Sequence, residues 1–140
     1  MASAGITAVA AAFFEACETG KGKEGVAEFI TDGATFTCQA VDAMPGPPIT
    51  ECKTVAAYAD WMKGVCDAMG EKATYAIDTQ ATDEERSTVI FVATFAGFSH
   101  YVYTVHINSD AKVDAVTKIW NDSYSFKIVS SMPAPDTEGS

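Results

Sequence analysis

One stretch near the end of the chain decides the fold: residues 110–122, DAKVDAVTKIWND. It starts inside a hairpin turn, residues 108–110, and continues with a period of two, which is typical of a β-strand. By that period Val116, Lys118, Trp120 and Asp122 share one face of the strand. The stretch therefore predicts a closing strand over residues 112 to about 126.

A second informative stretch is residues 27–36, AEFITDGATF. It follows a short predicted helix over residues 23–30, and Thr31-Asp32-Gly33 is expected to end that helix. Residues 34–40 are rich in β-formers and predict a strand. Proline and glycine at residues 44–48 then predict a loop.

Two longer helices are expected from their apolar spacing. The first has a stripe with helical period that stops before Gly20, made of Ile6, Val9, Ala10, Phe13, Phe14 and Cys17. The second begins after Thr54 as N-cap, ends at Gly70, and presents Val55, Tyr58, Ala59, Met62, Val65, Cys66 and Met69.

After Gly70 the period changes to two. Strands are predicted over residues 74–79, 87–95 and 98–107, with a polar turn at residues 83–86 and a tight reversal at Ala96-Gly97. Strands joined by hairpins after a helical half indicate an α+β fold with a mostly antiparallel sheet and helices on one face.

Composition narrows the function classes. The 140 residues are 48% apolar and 20% charged, which fits one folded domain, predicted over residues 1–128 with a flexible tail at 129–140. The net charge of -10 argues against binding to nucleic acid or to an anionic membrane surface. No apolar run is long enough to predict a membrane-spanning helix.

The N-terminus and the cysteines predict the compartment. The first residues lack a basic segment, and Glu15 and Glu18 interrupt the apolar stretch, which argues against an intact signal peptide. A chain whose targeting segment had been removed would look the same. The four cysteines contain no C-x-x-C pair and are expected to be free thiols, so a cytoplasmic location is predicted.

The two strings, in this order, resemble the NTF2-like superfamily, which includes polyketide-cyclase-like (SnoaL-like) and ketosteroid-isomerase-like proteins. Residues 27–36 resemble the F-x-x-D-A-x-F passage from second helix to first strand, and residues 110–122 resemble the G-K-I-x-x-x-x-x-x-W closing hairpin. The resemblance covers roughly residues 5 to 128. It implies a cone of three helices in the N-terminal half, packed on a curved, mostly antiparallel sheet.

The resemblance also allows a test of the family's chemistry. Ketosteroid-isomerase-like enzymes use a tyrosine, an aspartate base and an aspartic acid, and these positions hold Phe13, Cys38 and Tyr103 here. Phe13 cannot donate a hydrogen bond, so that mechanism is disfavoured, while Tyr103 can still donate. Polyketide-cyclase-like members rely on an acidic residue near the end of the fold, which implies Asp122 as acid–base residue.

A cone can hold a pocket, and the residues expected to line it are mostly aromatic. They are Phe13, Cys38, Tyr58, Trp61, Phe91, Tyr101 and Trp120. The predicted function is binding of a small apolar or aromatic molecule, without a cofactor. Two alternatives stay open: a cofactor-free acid–base enzyme using Asp122 and Tyr103 (an isomerase, cyclase, hydrolase-like enzyme or hydratase-type lyase), and a dimerisation or assembly module without catalysis.

The two histidines predict no metal site. His100 and His106 lie six residues apart on one strand, about 20 Å, so they cannot share an ion within one chain. They share a face opposite Tyr101 and Tyr103, which makes them outer-face residues if the tyrosines point into the cone. In many members of the superfamily that outer face is a dimer interface, so a homodimer through it is expected.

Overall fold

The computed structural model describes residues 3–40, 49–97 and 99–120. Three helices, α1 (Ser3–Glu18), α2 (Gly22–Val26) and α3 (Val55–Met69), pack on one five-stranded sheet. Its strands are β1 (Ile30–Ala40), β2 (Tyr75–Asp83), β3 (Thr88–Phe95), β4 (Ser99–Ile107) and β5 (Val113–Trp120). The predicted α+β class is confirmed.

The sheet has the order β1-β5-β4-β3-β2. β1 runs parallel to β5, and the other three pairs are antiparallel, so the sheet is mixed but mostly antiparallel as predicted. α1 crosses β2, β3, β4 and β5, and α3 packs against β1 and α2. The helices therefore cover one face of a curved sheet, and the core lies between them.

The ends of α1 and α3 follow the residues that the sequence marked. Gly20 has φ 74°, and a Cβ there would lie 2.7 Å from Cys66 Cβ, so only glycine fits this turn. Thr54 Oγ1 accepts a hydrogen bond from the Ala57 backbone N–H at 3.1 Å, which caps α3. Gly70 ends α3 with φ 58°.

Three boundaries were predicted wrongly: the end of α2, the start of β1 and the end of β2. α2 stops at Val26, a 3-10 turn follows over Ala27–Phe29, and β1 already starts at Ile30, which pairs with Val113. Gly33, with φ 74°, lies in an irregular part of β1 and does not separate a helix from a strand. β2 extends to Asp83, past the predicted end at Thr79, because residues 79–83 continue to pair with β3.

Alternate residues of the central strands are buried against the helices. On β4 these are Ser99, Tyr101, Tyr103, Val105 and Ile107, and the residues between them are half-buried. His100 and His106 are among the latter and lie on the outer face. β5 is described as far as Trp120, so Asp122 and the predicted tail at 129–140 lie outside the described residues.

No helix in the part of the chain that the structure describes is long and apolar enough to cross a membrane. All four cysteines are free thiols.

Candidate functional site

Two charged side chains are buried between the helices and the sheet. Glu18, the last residue of α1, is fully buried, and Lys118 of β5 is 4% exposed. Glu18 follows Phe14 by four residues, so it lies on the same helical face as the apolar stripe. Lys118 follows Val116 by two residues on the inward face of its strand. Buried charges are rare unless they are paired or hydrogen-bonded.

Three tyrosine hydroxyls surround the Glu18 carboxylate. Tyr58 donates to Oε2 at 3.1 Å, the hydroxyl of Tyr103 lies 2.9 Å from the same oxygen, and Tyr101 donates to Oε1. The hydroxyls of Tyr58 and Tyr103 also contact each other. Both carboxylate oxygens therefore have hydrogen-bond donors without water.

Lys118 completes this group from the β5 side. Its Nζ donates to the Tyr58 hydroxyl at 3.0 Å. It also lies 4.4 Å from the ring centroid of Tyr101, 5.0 Å from that of Tyr58 and 5.5 Å from that of Tyr103, within cation–π range. We call these five residues, Glu18, Tyr58, Tyr101, Tyr103 and Lys118, the Glu18 cluster.

Aromatic rings enclose the cluster. Phe14 stacks on Phe91 with centroids 4.6 Å apart and meets the Tyr103 ring edge-on at 4.8 Å. On the other side Phe36 stacks on Tyr58 at 4.2 Å. The cluster therefore lies in a surrounding of low polarity, where hydrogen bonds and charges interact more strongly than in water.

Burial sets the protonation of the cluster. It raises the pKa of the Tyr58, Tyr101 and Tyr103 phenols, and the Glu18 carboxylate beside them raises these pKa values further. Burial also lowers the pKa of Lys118, while Glu18 opposes that change. The phenols therefore stay protonated donors near neutral pH, whereas the amine of Lys118 loses its proton more readily than an exposed lysine does.

The arrangement gives a continuous hydrogen-bonded path. It runs from Lys118 Nζ to the Tyr58 hydroxyl and on to Glu18 Oε2. Such a path can move a proton between an amine and a carboxylate through one hydroxyl group. An oxygen atom of a bound molecule could accept the Tyr58 hydrogen bond only by replacing Glu18 as the acceptor.

The structure brings together part of the predicted residue set. Tyr58, Tyr101 and Tyr103 belong to the cluster, Phe91 belongs to its aromatic wall, and the ring of the half-buried Trp61 stacks on Tyr58 with centroids 6.2 Å apart. Phe13 is fully buried in the apolar core, a position that does not by itself make it a ligand contact.

Three other predicted residues are not among the five members of the cluster. Cys38 of β1 is the register partner of Lys118, and burial raises the pKa of its thiol to about 11, which leaves it a neutral thiol near pH 7. Trp120 pairs in register with Tyr101, but its side chain lies outside what the structure describes. Asp122 also lies outside the described residues.

Sequence reasoning missed the two charged members of the site. From the sequence, Glu18 was interpreted only as a charge that interrupts an apolar N-terminal stretch. Its spacing of four from Phe14 nevertheless continues the buried stripe of the helix. Lys118 was placed on the face of Val116 without being counted as a site residue. A charge at an inward position of an amphipathic element is the signal that could have identified both.

The outer face of the sheet carries separate polar contacts. His106 Nδ1 lies 2.6 Å from Asp114 Oδ1, and His100 Nδ1 lies 3.0 Å from Thr94 Oγ1, which donates to Asp78. Within residues 3–40, 49–97 and 99–120, no three His, Cys, Asp or Glu side chains come together in a way that could hold a metal ion.

Comparison with known proteins identifies the fold of the chain. Neither a protein-family model nor a curated relative matches the sequence. Solved structures do match. A protein of unknown function with a cystatin-like fold from Methylobium petroleophilum PM1 is 13% identical, with TM-score 0.66 over 99% of this chain and 82% of that one.

Two further solved structures are similar in fold to this chain. A SnoaL-like protein of unknown function from Burkholderia thailandensis is 9% identical, with TM-score 0.61 over 86% of this chain and 98% of that one. SalBIII, an epoxide hydrolase/cyclase-like enzyme with a role in pyran ring formation in the polyether salinomycin, is 13% identical, with TM-score 0.56 over 82% and 89%. These likenesses, together with three helices on a curved mixed sheet, confirm that the chain has the NTF2-like fold that its two sequence strings predicted.

Proposed function

We propose that the protein binds a small, largely apolar or aromatic molecule in the cone, with an oxygen atom of that molecule against the Glu18 cluster. The observation that carries the proposal is the burial of Glu18 and Lys118 together with three tyrosine hydroxyls inside a wall of aromatic rings. Removing two charges from water costs several kcal/mol for each ion, about the whole stability of a small domain. Buried titratable groups with shifted pKa values are concentrated at functional sites.

The cluster also indicates the chemistry of the ligand. The rings of Phe14, Phe36 and Phe91 offer contacts to an apolar or aromatic body. Lys118 Nζ is a donor to a hydroxyl or carbonyl oxygen, and the phenols can donate to that oxygen where it replaces Glu18 as their acceptor. Because the Glu18 carboxylate would repel a second negative charge, we expect a neutral ligand.

Native mass spectrometry, compared with denaturing spectrometry of the same sample, tests this function. We expect one of two results: excess non-covalent mass per subunit in the native spectrum, or binding of benzyl alcohol and acetophenone that calorimetry can measure. Lys118→Met should weaken this binding, and the matched control Lys63→Met, at an exposed position on α3, should not. A chain with no excess mass and no affinity for either probe would contradict the proposal.

A second candidate is a cofactor-free acid–base enzyme of the isomerase, cyclase or hydratase-type lyase class. The observation that favours it is the path from Lys118 through Tyr58 to Glu18, and SalBIII is a cyclase-like enzyme of the same fold. In this hypothesis Tyr103 donates a hydrogen bond to the substrate and Asp122 is a further acid–base residue. Exchange of the methyl protons of acetophenone in deuterated water should then exceed the buffer rate and fall in Tyr58→Phe, and exchange at the buffer rate would contradict the hypothesis.

The partner that we propose for the outer face is a second copy of this chain. Val92, Val102 and Ile119 are register partners across β3, β4 and β5 and form a half-buried apolar row on that face. Such a row at the centre of a sheet face suits an interface between identical surfaces. This also keeps the assembly-module alternative open.

A further inference from the structure

Lys118 differs from the other lysines that the structure describes. It is 4% exposed, whereas Lys63 and Lys72 are exposed on α3 and on the turn after it. Its primary amine lies against the rings of Tyr101 and Tyr58 and next to the cluster's hydrogen-bonded hydroxyl groups. A lysine held in an apolar surrounding is the form in which this side chain becomes a nucleophile, because burial lowers the pKa of its amine.

The neighbouring hydroxyl supplies what an amine needs for reaction with a carbonyl group. The Tyr58 hydroxyl accepts a hydrogen bond from Lys118 Nζ at 3.0 Å and donates one to Glu18 Oε2 at 3.1 Å. It can therefore take a proton from the nitrogen and, when its own O–H turns from Glu18 to the carbonyl oxygen, deliver its proton there. The aromatic wall excludes water that would otherwise hydrolyse an imine.

We propose that Lys118 Nζ forms a reversible Schiff base with the carbonyl carbon of an aromatic or apolar aldehyde or ketone bound in the cone. This inference rests on the proposed function and names its ligand class. It is separate from the acid–base alternative, in which Lys118 gives and takes protons but forms no covalent bond.

The step balances without any further reactant. The lone pair of the neutral amine forms a C–N bond while the carbonyl π bond breaks, and the first amine proton passes through the Tyr58 hydroxyl to the oxygen, giving a carbinolamine. The second amine proton follows the same route as the C–O bond breaks. Water leaves, and an imine remains. Both hydrogens of that water come from Lys118, and nothing is oxidised or reduced.

Reductive trapping tests the proposal on the wild-type chain, so its result does not depend on the folding of a variant. The protein is incubated with benzaldehyde and sodium cyanoborohydride near pH 7, where exposed lysines are almost fully charged. Reduction converts an imine into a stable benzyl amine, which peptide mapping by mass spectrometry locates. We expect initial labelling of Lys118 to exceed that of Lys63 and Lys72 by at least about tenfold, because the Tyr58 hydroxyl 3.0 Å from its Nζ can relay the protons of the reaction. Labelling of Lys118 no faster than at these two exposed lysines would overturn the proposal.

Two matched variants test the role of the hydroxyl. Tyr58→Phe keeps the ring but removes the proton relay, and we expect it to slow labelling of Lys118 by about tenfold or more. Tyr75→Phe removes a hydroxyl from a tyrosine outside the cluster, whose ring meets Phe14 edge-on, and should leave the rate unchanged. Equal labelling rates in these two variants would overturn the assignment of Tyr58 as the relay.

Binding of benzyl alcohol, which has no carbonyl carbon, separates the two proposals. If benzyl alcohol binds but Lys118 is not labelled preferentially by benzaldehyde, the Schiff base is wrong and the binding function stands. If benzyl alcohol does not bind and Lys118 is not labelled, both proposals are wrong. Preferential labelling of Lys118 supports both, because the aldehyde must first enter the cone.

Discussion

At the scale of single residues, Glu18 is the residue that the other members of the candidate site surround. Its carboxylate is fully buried and is satisfied by the hydroxyls of Tyr58, Tyr101 and Tyr103, while Lys118 provides the compensating charge nearby. The energetic consequence of this arrangement is asymmetric. Removing one charged partner leaves the other in an apolar surrounding, whereas removing both does not.

We therefore expect Glu18→Leu to lower the free energy of unfolding by about 3–5 kcal/mol. The double variant Glu18→Leu/Lys118→Met should recover at least about 1 kcal/mol of that loss. Urea unfolding measures both. Glu15→Leu is the matched control, since Glu15 is exposed on the same helix, and should change stability by no more than about 0.5 kcal/mol. A loss in Glu18→Leu no greater than in this control would contradict the account.

The cluster also predicts how stability depends on pH. The pKa values of Tyr58, Tyr101 and Tyr103 are raised on folding, so above the ordinary phenol value of 10.0 the unfolded chain loses protons that the folded chain keeps. Stability should then fall as the pH rises. The lowered pKa of Lys118 acts in the opposite direction, but the pKa values of Tyr75 and of all four cysteines are also raised by burial and act in the same direction as the three phenols.

The test compares urea midpoints at about pH 8 and about pH 10.5, on either side of the unfolded phenol pKa. We expect a lower midpoint at the higher pH, and a smaller decrease in Tyr101→Phe, which has one phenol fewer. Identical decreases in the two proteins would show that Tyr101 does not contribute. A midpoint that rises with pH would mean that Lys118 dominates.

At the scale of elements, α3 positions Tyr58 and owes its two ends to local chemistry. Thr54 caps its first turn, and Gly70 ends it with φ 58° and ψ -126°, a conformation that is essentially restricted to glycine. A Cβ at Gly70 would meet no atom within 4 Å, and the same is true of Gly64 inside the helix. The two glycines therefore differ in backbone conformation and not in available space.

This difference gives a matched pair of variants. Gly70→Ala should lower the free energy of unfolding by about 1–3 kcal/mol, because alanine is strained in that conformation. Gly64→Ala should raise it by about 0.5–1 kcal/mol, because alanine favours a helix interior over glycine. Thermal or urea unfolding measures both changes. Changes of the same sign would contradict the assignment of the helix end to Gly70.

At the scale of the whole molecule, the sheet separates two surfaces with different proposed roles. The inner face holds the Glu18 cluster, and the outer face presents the row of Val92, Val102 and Ile119. Period-two alternation makes this separation possible on the same strands, since neighbouring residues point to opposite faces.

A single substitution on the outer face tests the proposed dimer. We expect light scattering after size exclusion to give a dimer mass for the wild type and a monomer mass for Val102→Arg, because a charge in the middle of the apolar row cannot be desolvated there. Gln80→Arg, at an exposed position of the edge strand β2, should remain dimeric. A monomeric wild type, or a dimeric Val102→Arg, would contradict the proposal.

The sequence by itself determined the architecture, because periodicity and end signals are local. Apolar spacing predicted α1, Thr54 and Gly70 marked α3, and the alternation after Gly70 predicted the strands that the structure confirms. Where pairing with a distant strand decided the boundary, local signals failed: β1 starts at Ile30 because Val113 lies beside it. The site depended on tertiary structure still more. Hydrogen bonds in the cluster join residues that lie 40 to 85 positions apart in the sequence. Only the packing of α1 and α3 on β4 and β5 gives the buried carboxylate its three donors and its counter-charge.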